Sequence, residues 1–302
     1  MTVHGHKALP QTVMAGCIAL LLLLANSCAQ KPVSEDRYIE PDRLFKALEE
    51  NVRDNQEFEV IVEIDHSRLA AKAGSPMPPS HVLIWSDPKL ESSILRQNPL
   101  AGLDLPLRAL VFENQDTGKA EVIANSYDFV AHRHSLANDG DSATRYKAAI
   151  AKAMNGIPES AIGRFPSDSM TDAGIVTLES PFGFAATEKR VKDAINAQSD
   201  TVNFGEVDFT ARSRTHGVEL PPMRLLLFGG PGPGGKAMSS APTLGLDAFC
   251  QKLLIWQDDS GTVHVSFNDL LALAERQQVP AGMPLRVINR RVKQTFTAAL
   301  EE

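Results

Sequence analysis

Cysteine is scarce in this chain. There are three in 302 residues, Cys17, Cys28 and Cys250, and no spacing among them matches a zinc site or a redox pair. Positive charge is also in deficit: 30 Lys and Arg stand against 37 Asp and Glu, for a net charge of −7. A long basic stripe is absent, so nucleic acid is excluded as an expected partner. The sequence has no Gly-x-Ser-x-Gly elbow and no His-Glu-x-x-His pair, and nothing suggests a reactive cysteine in its mature part. The longest apolar run, Val13 to Ala25, is too short to cross a bilayer comfortably as a helix.

That run has a different reading. It contains five consecutive leucines, Leu20 to Leu24, follows a polar stretch whose only formal charge is Lys7, and ends in Ala25-Asn26-Ser27-Cys28. This is the layout of a bacterial export signal. The small residues before Cys28 resemble a lipobox, in which the cysteine is lipidated and becomes the new N-terminus. Ala25 stands where a lipobox has Leu, and Ala25 and Ser27 also suit an ordinary signal peptidase. The expectation is a signal peptide over 1–27, lipidation at Cys28 and a tether over 28–40. Ordinary secretion and an uncleaved anchor are the alternatives. With Cys28 lipidated, Cys250 has no partner and is expected to be buried as a small apolar residue.

The rest of the chain repeats itself. At an offset of 143 positions, the step from Asp65 to Asp208, one half reads onto the other without a gap. Gly74 falls on Gly217, Pro78-Pro79 on Pro221-Pro222, Gly102-Leu103-Asp104 on Gly245-Leu246-Asp247, Gly118 on Gly261 and Arg133 on Arg276. Gly, Pro and Asp set turns and caps, so these matches report a shared backbone. Repeat one is expected over 41–155, a linker over 156–173 and repeat two over 174–302.

Each repeat mixes strands with helices. In the second, strands are expected at 175–179, 204–208 and 223–228, a hairpin at 253–256 and 263–267, and helices near 184–198, 270–277 and 285–300. The first follows with a helix from 41 to about 54, strands at 59–65 and 82–85, a hairpin at 110–112 and 120–124, and helices near 128–135 and 143–154. Its counterpart of the strand at 175–179 is Pro32-Val33-Ser34-Glu35-Asp36, poor strand material. The expected fold is α+β, two similar domains, each a mainly antiparallel sheet packed with helices.

The order Asp65-His66, Pro79, Asp87-Pro88, Asn98-Pro99, Leu103-Asp104-Leu105-Pro106 and Arg133-His134 resembles the bacterial and archaeal family catalogued as domain of unknown function 302. The second repeat keeps Asp208, Pro222, Pro231, Pro242, Leu246-Asp247 and Arg276, and departs at Phe209, Phe249 and Gln277. The resemblance implies a compact α+β domain and carries no catalytic activity with it.

Four residues are candidates for a ligand site: Asp65, His66, Arg133 and His134. Neutral histidines bind metals or move protons near pH 7, and His66, His132 and His134 occur only in repeat one. As strand neighbours, however, Asp65 and His66 would face opposite sides. The shared residues Asp104, Asp247, Asp208 and Arg276 are expected to hold the fold, with each Arg on a carboxylate of its own domain and Asp104 and Asp247 capping or turning the backbone. Gly230 to Ala237 matches phosphate-loop spacing except at its last position. There Ala237 replaces the magnesium-binding hydroxyl, while Pro231 and Pro233 remove two N–H donors. It is read as a flexible Gly/Pro loop.

The expected function is a ligand-binding or accessory module in the bacterial cell envelope, lipid-anchored and facing the periplasm. Its partners would be the membrane, through the N-terminal lipid, and an envelope protein or small molecule. An enzyme built on Asp65, His66, Arg133 and His134, and a structural part of an envelope assembly, are the alternatives. The sequence assigns no metal site, cofactor or reaction.

Overall fold

The computed structural model describes residues 1–2, 33–165 and 174–301. Cys28, nearly all of the expected signal peptide, and residues 166–173 of the expected linker lie outside the described residues. Both repeats fall within one compact unit, Val33–Glu302.

Repeat one begins with a 3-10 turn, Glu35–Tyr38, where repeat two has its first strand. Helix α1 (Ile39–Arg53) follows, then β1 (Glu59–Asp65), α2 (His66–Lys72), β2 (Ser80–Ser86) and α3 (Pro88–Leu95). A second 3-10 turn (Pro99–Leu103) leads to β3 (Leu107–Glu113), β4 (Ala120–Ala124), α4 (Tyr127–His134) and α5 (Asp141–Ala153). Repeat two runs β5 (Ile175–Ser180), α6 (Phe184–Asn196), β6 (Val202–Asp208), α7 (Phe209–Arg214), β7 (Met223–Gly229) and α8 (Pro231–Met238). A 3-10 turn (Pro242–Gly245), β8 (Gln251–Gln257), β9 (Val263–Asn268), α9 (Leu270–Arg276) and α10 (Met283–Ala299) complete it.

The sheets are antiparallel, in the orders β1-β2-β3-β4 and β5-β9-β8-β7-β6. The duplication is preserved down to local irregularities. A bulge falls between Val60 and Val62 and again between Asn203 and Gly205, one repeat length apart. Gly74 and Gly217 sit at φ +73° and +72°, a left-handed turn after α2 and α7 that a side chain would strain.

Two expectations need correction. The strand ends at Asp65, and His66 is the first residue of α2 rather than a strand neighbour, because the Asp65 carboxylate accepts the Arg68 N–H at 2.8 Å and turns the chain into a helix. Asp208 does the same for α7 through Ala211 N–H at 2.9 Å. The Gly/Pro segment from Pro231 is helix α8, not a loop. Its glycines let it close on α2: a Cβ on Gly235 would lie 2.5 Å from Ala70 Cβ and 2.6 Å from Ser75 O.

The repeats interlock reciprocally. Helix α2 of repeat one packs on α8 of repeat two, and α7 of repeat two packs on α3 of repeat one. Each core also borrows from the other: Val207, Phe209 and Leu254 join the core of repeat one, while Ala70 and Met77 join that of repeat two. Cys250 is buried.

Candidate functional site

The most concentrated chemistry lies between the repeats. Asp104 and Asp247, just past the two matching 3-10 turns, are both fully buried as side chains, as is Arg133. Arg133 Nη1 donates to Asp104 Oδ2 at 2.8 Å, and Arg276 Nη1 donates to Asp247 Oδ2 at 2.8 Å. Each arginine thus meets the carboxylate of its own repeat.

The other arm of each guanidinium crosses to the opposite repeat. Arg133 Nη2 donates to Asn268 Oδ1 at 2.7 Å, and Arg276 Nη2 to Asn125 Oδ1 at 2.8 Å. Asn125 and Asn268 are themselves one repeat length apart, at the ends of β4 and β9. Arg108, on β3, ties the halves together once more, through Asp104 Oδ1 at 3.0 Å and Asp247 Oδ1 at 3.2 Å. Asn125 Nδ2 also donates to Asp247 Oδ1 at 2.9 Å. Burial alone would raise the Asp104 carboxyl, but Arg133, the His134 bond and Arg108 outweigh it and hold it well below the usual carboxylate range. Burial opposes ionisation of Asp247 too, and Arg108 and Arg276 overcome it. Lys252 Nζ donates to the main-chain oxygens of Asp247 and Cys250, and burial first, then Arg108, pull its pKa down to about 8.

The four candidate residues divide into separate places. Arg133 and His134 meet on Asp104, with His134 Nε2 donating to Oδ2 at 2.6 Å. His132, two residues earlier on α4, faces solvent. Asp65 caps α2 and accepts from Ser67 Oγ and from Arg68 Nη1, both at 2.7 Å. His66 Nε2 donates to Gly245 O of repeat two at 3.1 Å, and burial lowers its pKa to about 4, so the ring is neutral at neutral pH. Phe209 holds the matching place in repeat two, against Gly102, where an added Cβ would lie 3.3 Å from its ring. Among the described residues no group of three or more His, Cys, Asp or Glu is placed to hold a metal.

Sequence reasoning missed Asn125, Asn268 and Arg108. The two asparagines were there to be found in the offset of 143. Arg108 was hidden because its counterpart is Gln251.

The paired α+β repeats, each contributing an Asp–Arg pair to one buried seam, define a duplicated domain. The family pattern described as "Domain of unknown function DUF302" matches residues 34–157 and again 176–302, and the chain belongs to this family. Similar curated proteins include "Fluoride-specific ion channel FluC 1" of Brucella suis biovar 1, 39% identical over 115 residues, covering 38% of this chain and 44% of the relative. The protein of that name from Brucella abortus biovar 1 is 39% identical over 115 residues, 38% of this chain and 42% of its own. This chain therefore spans less than half the length of the curated relatives it matches. Among solved structures, an uncharacterized conserved DUF302 protein from Bacillus stearothermophilus is similar at 19% identity and a TM-score of 0.36, over 42% of this chain and 95% of that one. Among the described residues no helix is long and apolar enough to cross a membrane.

Proposed function

We propose that this protein is an exported accessory module of the bacterial envelope, anchored through lipid on Cys28, whose interlocked repeats present one rigid binding body to an envelope partner or small ligand. The observation that carries this reading is the use made of the shared polar residues. Asp104, Arg133, Asp247 and Arg276 bind the repeats to each other and are buried, which suits a body built for stiffness. The apolar run ending at Ala25-Asn26-Ser27-Cys28 supports export and anchoring. The match to proteins named as fluoride channels supports a place beside a membrane component, since the shared segment of 115 residues fills less than half of those chains.

Metabolic labelling with a fatty-acid analogue tests the anchor on the full chain. The expected result is label and membrane fractionation for the wild type, and loss of both in Cys28→Ala. A wild-type chain exported without label overturns the anchored reading in favour of ordinary secretion.

A further inference from the structure

Helix α3 meets α7 through a group that the central seam does not use. Glu91, on α3, is 2% exposed, and neither of its carboxylate oxygens has a hydrogen-bond partner. The cation facing it is Arg212 of α7, whose Nε lies 3.9 Å away and is itself without a hydrogen bond. Arg212 spends both terminal nitrogens on Glu59 of β1, at 3.1 and 2.8 Å. One arginine from repeat two therefore faces two carboxylates from repeat one and binds only the more exposed of them. Ser86, paired with Glu59 in the β1–β2 register, has a buried hydroxyl close enough to Glu91 to favour its ionised form, as Arg212 does, but burial outweighs both. Asp87, at the cap of α3, adds a further negative charge, and its own cation is Arg145 of α5, at 2.7 Å.

We infer that the α3–α7 contact is a pH-responsive latch between the repeats, closed when Glu91 carries a proton and loosened when it does not. A protonated Glu91 leaves Arg212 to Glu59 and buries no unmatched charge. An ionised Glu91 places a second carboxylate before a single, already committed guanidinium, and solvating it requires α3 and α7 to part.

Burial is the main cause that moves Glu91 up from the ordinary 4.5 to about 7. The closed form thus keeps its proton at pH values where an opened, solvated Glu91 has lost it. Closure is at full strength below about 4.5, weakens as pH rises through that window, and levels off above about 7.

Amide hydrogen exchange of the full chain, read at α3 and α7, tests the latch. In the wild type the opening equilibrium is expected to rise about tenfold per pH unit across the window, and in Glu91→Gln it stays flat. Glu59→Gln is the second variant: it frees Arg212 for Glu91 and shrinks the rise. The same pH dependence in the wild type and Glu91→Gln overturns the proposal. Should Glu91→Gln fail to fold, an unchanged rise in Glu59→Gln overturns it equally.

Discussion

The two helix contacts between the repeats are the same contact by ancestry and opposites by chemistry. At α3–α7 the facing side chains are Glu91 and Arg212. At α2–α8 the matching positions are Gly234 and Leu69, and the approach is steric, with Gly235 against Ala70 and Ser75. Each contact also seats one ring against a glycine of the other repeat: His66 on Gly245, Phe209 on Gly102. The pair teaches that a backbone arrangement fixed by duplication leaves the contact chemistry free to diverge. It also explains the glycine-rich motif. Its resemblance to a phosphate loop reflects the close approach of two helices.

The central seam is where the two halves are alike, and breaking it should have the largest effect. Asp104→Ala leaves Arg133 and Arg108 buried with one carboxylate fewer, and His134 with no acceptor at Nε2. Removing one partner of a buried ion pair costs about 3–5 kcal/mol, so urea unfolding should show a loss of that size. Asp247→Ala should cost a similar amount. A loss in Asp247→Ala alone would mean that the Asn125 bond to Asp247, which Asp104 lacks, and not the duplicated Asp–Arg pairs, carries the seam.

The contacts should separate by pH next. His66 is held near 4 by burial, below its ordinary 6.5. The folded state keeps it neutral while the unfolded chain takes up a proton, so its contribution is complete above 6.5 and is lost as pH falls toward 4. The full amplitude is about 3 kcal/mol. In His66→Phe this acid-side loss should shrink, leaving the part due to His81, which burial also lowers to about 4. The sense is opposite to that of Glu91. Glu91 therefore offsets only part of the acid-side loss from His66 and His81, and the His66 contribution is read as the difference between the wild type and His66→Phe.

A steric test of the α2–α8 contact comes third. Gly235→Ala puts a methyl 2.5 Å from Ala70 Cβ and against the Ser75 backbone oxygen, so the helices must move apart. Overpacking of this kind costs about 1–3 kcal/mol, measurable as a lower midpoint of thermal unfolding. Gly234→Ala meets nothing closer than the Phe249 ring, at 3.3 Å, and should cost less.

The legible part of the fold is its long, patterned elements. Strands β1 and β7 and helices α1, α6 and α10 stand within about two residues of where alternation and helical spacing put them. The short helices α2, α3, α7 and α8 were not legible. Six to eight residues show a period poorly, although α4 and α9, no longer than these, stand where expected, and α8 opens Pro-Gly-Pro-Gly-Gly, against helix propensity. Its stability is tertiary, supplied by α2. An Arg–carboxylate pair within each repeat could be read because both copies keep the residues, but Asp104 and Asp247, expected to cap or turn the backbone, are the carboxylates that accept it. Glu91 and Arg212 could not be paired from sequence, since neither has a charged counterpart one repeat away and the contact joins residues more than a hundred positions apart.

The smallest effect belongs to the caps, where identical residues meet different surroundings. Asp65 and Asp208 align, and each accepts an N–H from the first turn of its helix. Asp65 is the more enclosed, at 17% side-chain exposure against 37%, and also holds Ser67 and Arg68. Burial opposes its charge, but the Arg68 N–H, Ser67 and the Arg68 guanidinium together lower its pKa. Asp208 has Arg224 in place of His81 across the strand pair. Loss of a cap costs about 0.5–2 kcal/mol, so Asp65→Ala should fall at the upper end of that range and Asp208→Ala at the lower. Equal losses in urea unfolding would mean that the cap bond alone matters. A large excess at Asp65 would mean that its cluster with Asp42, Arg68 and His81 acts as a unit, held together by the charge on Asp65, and that repeat one has specialised at this corner while repeat two has kept only the turn.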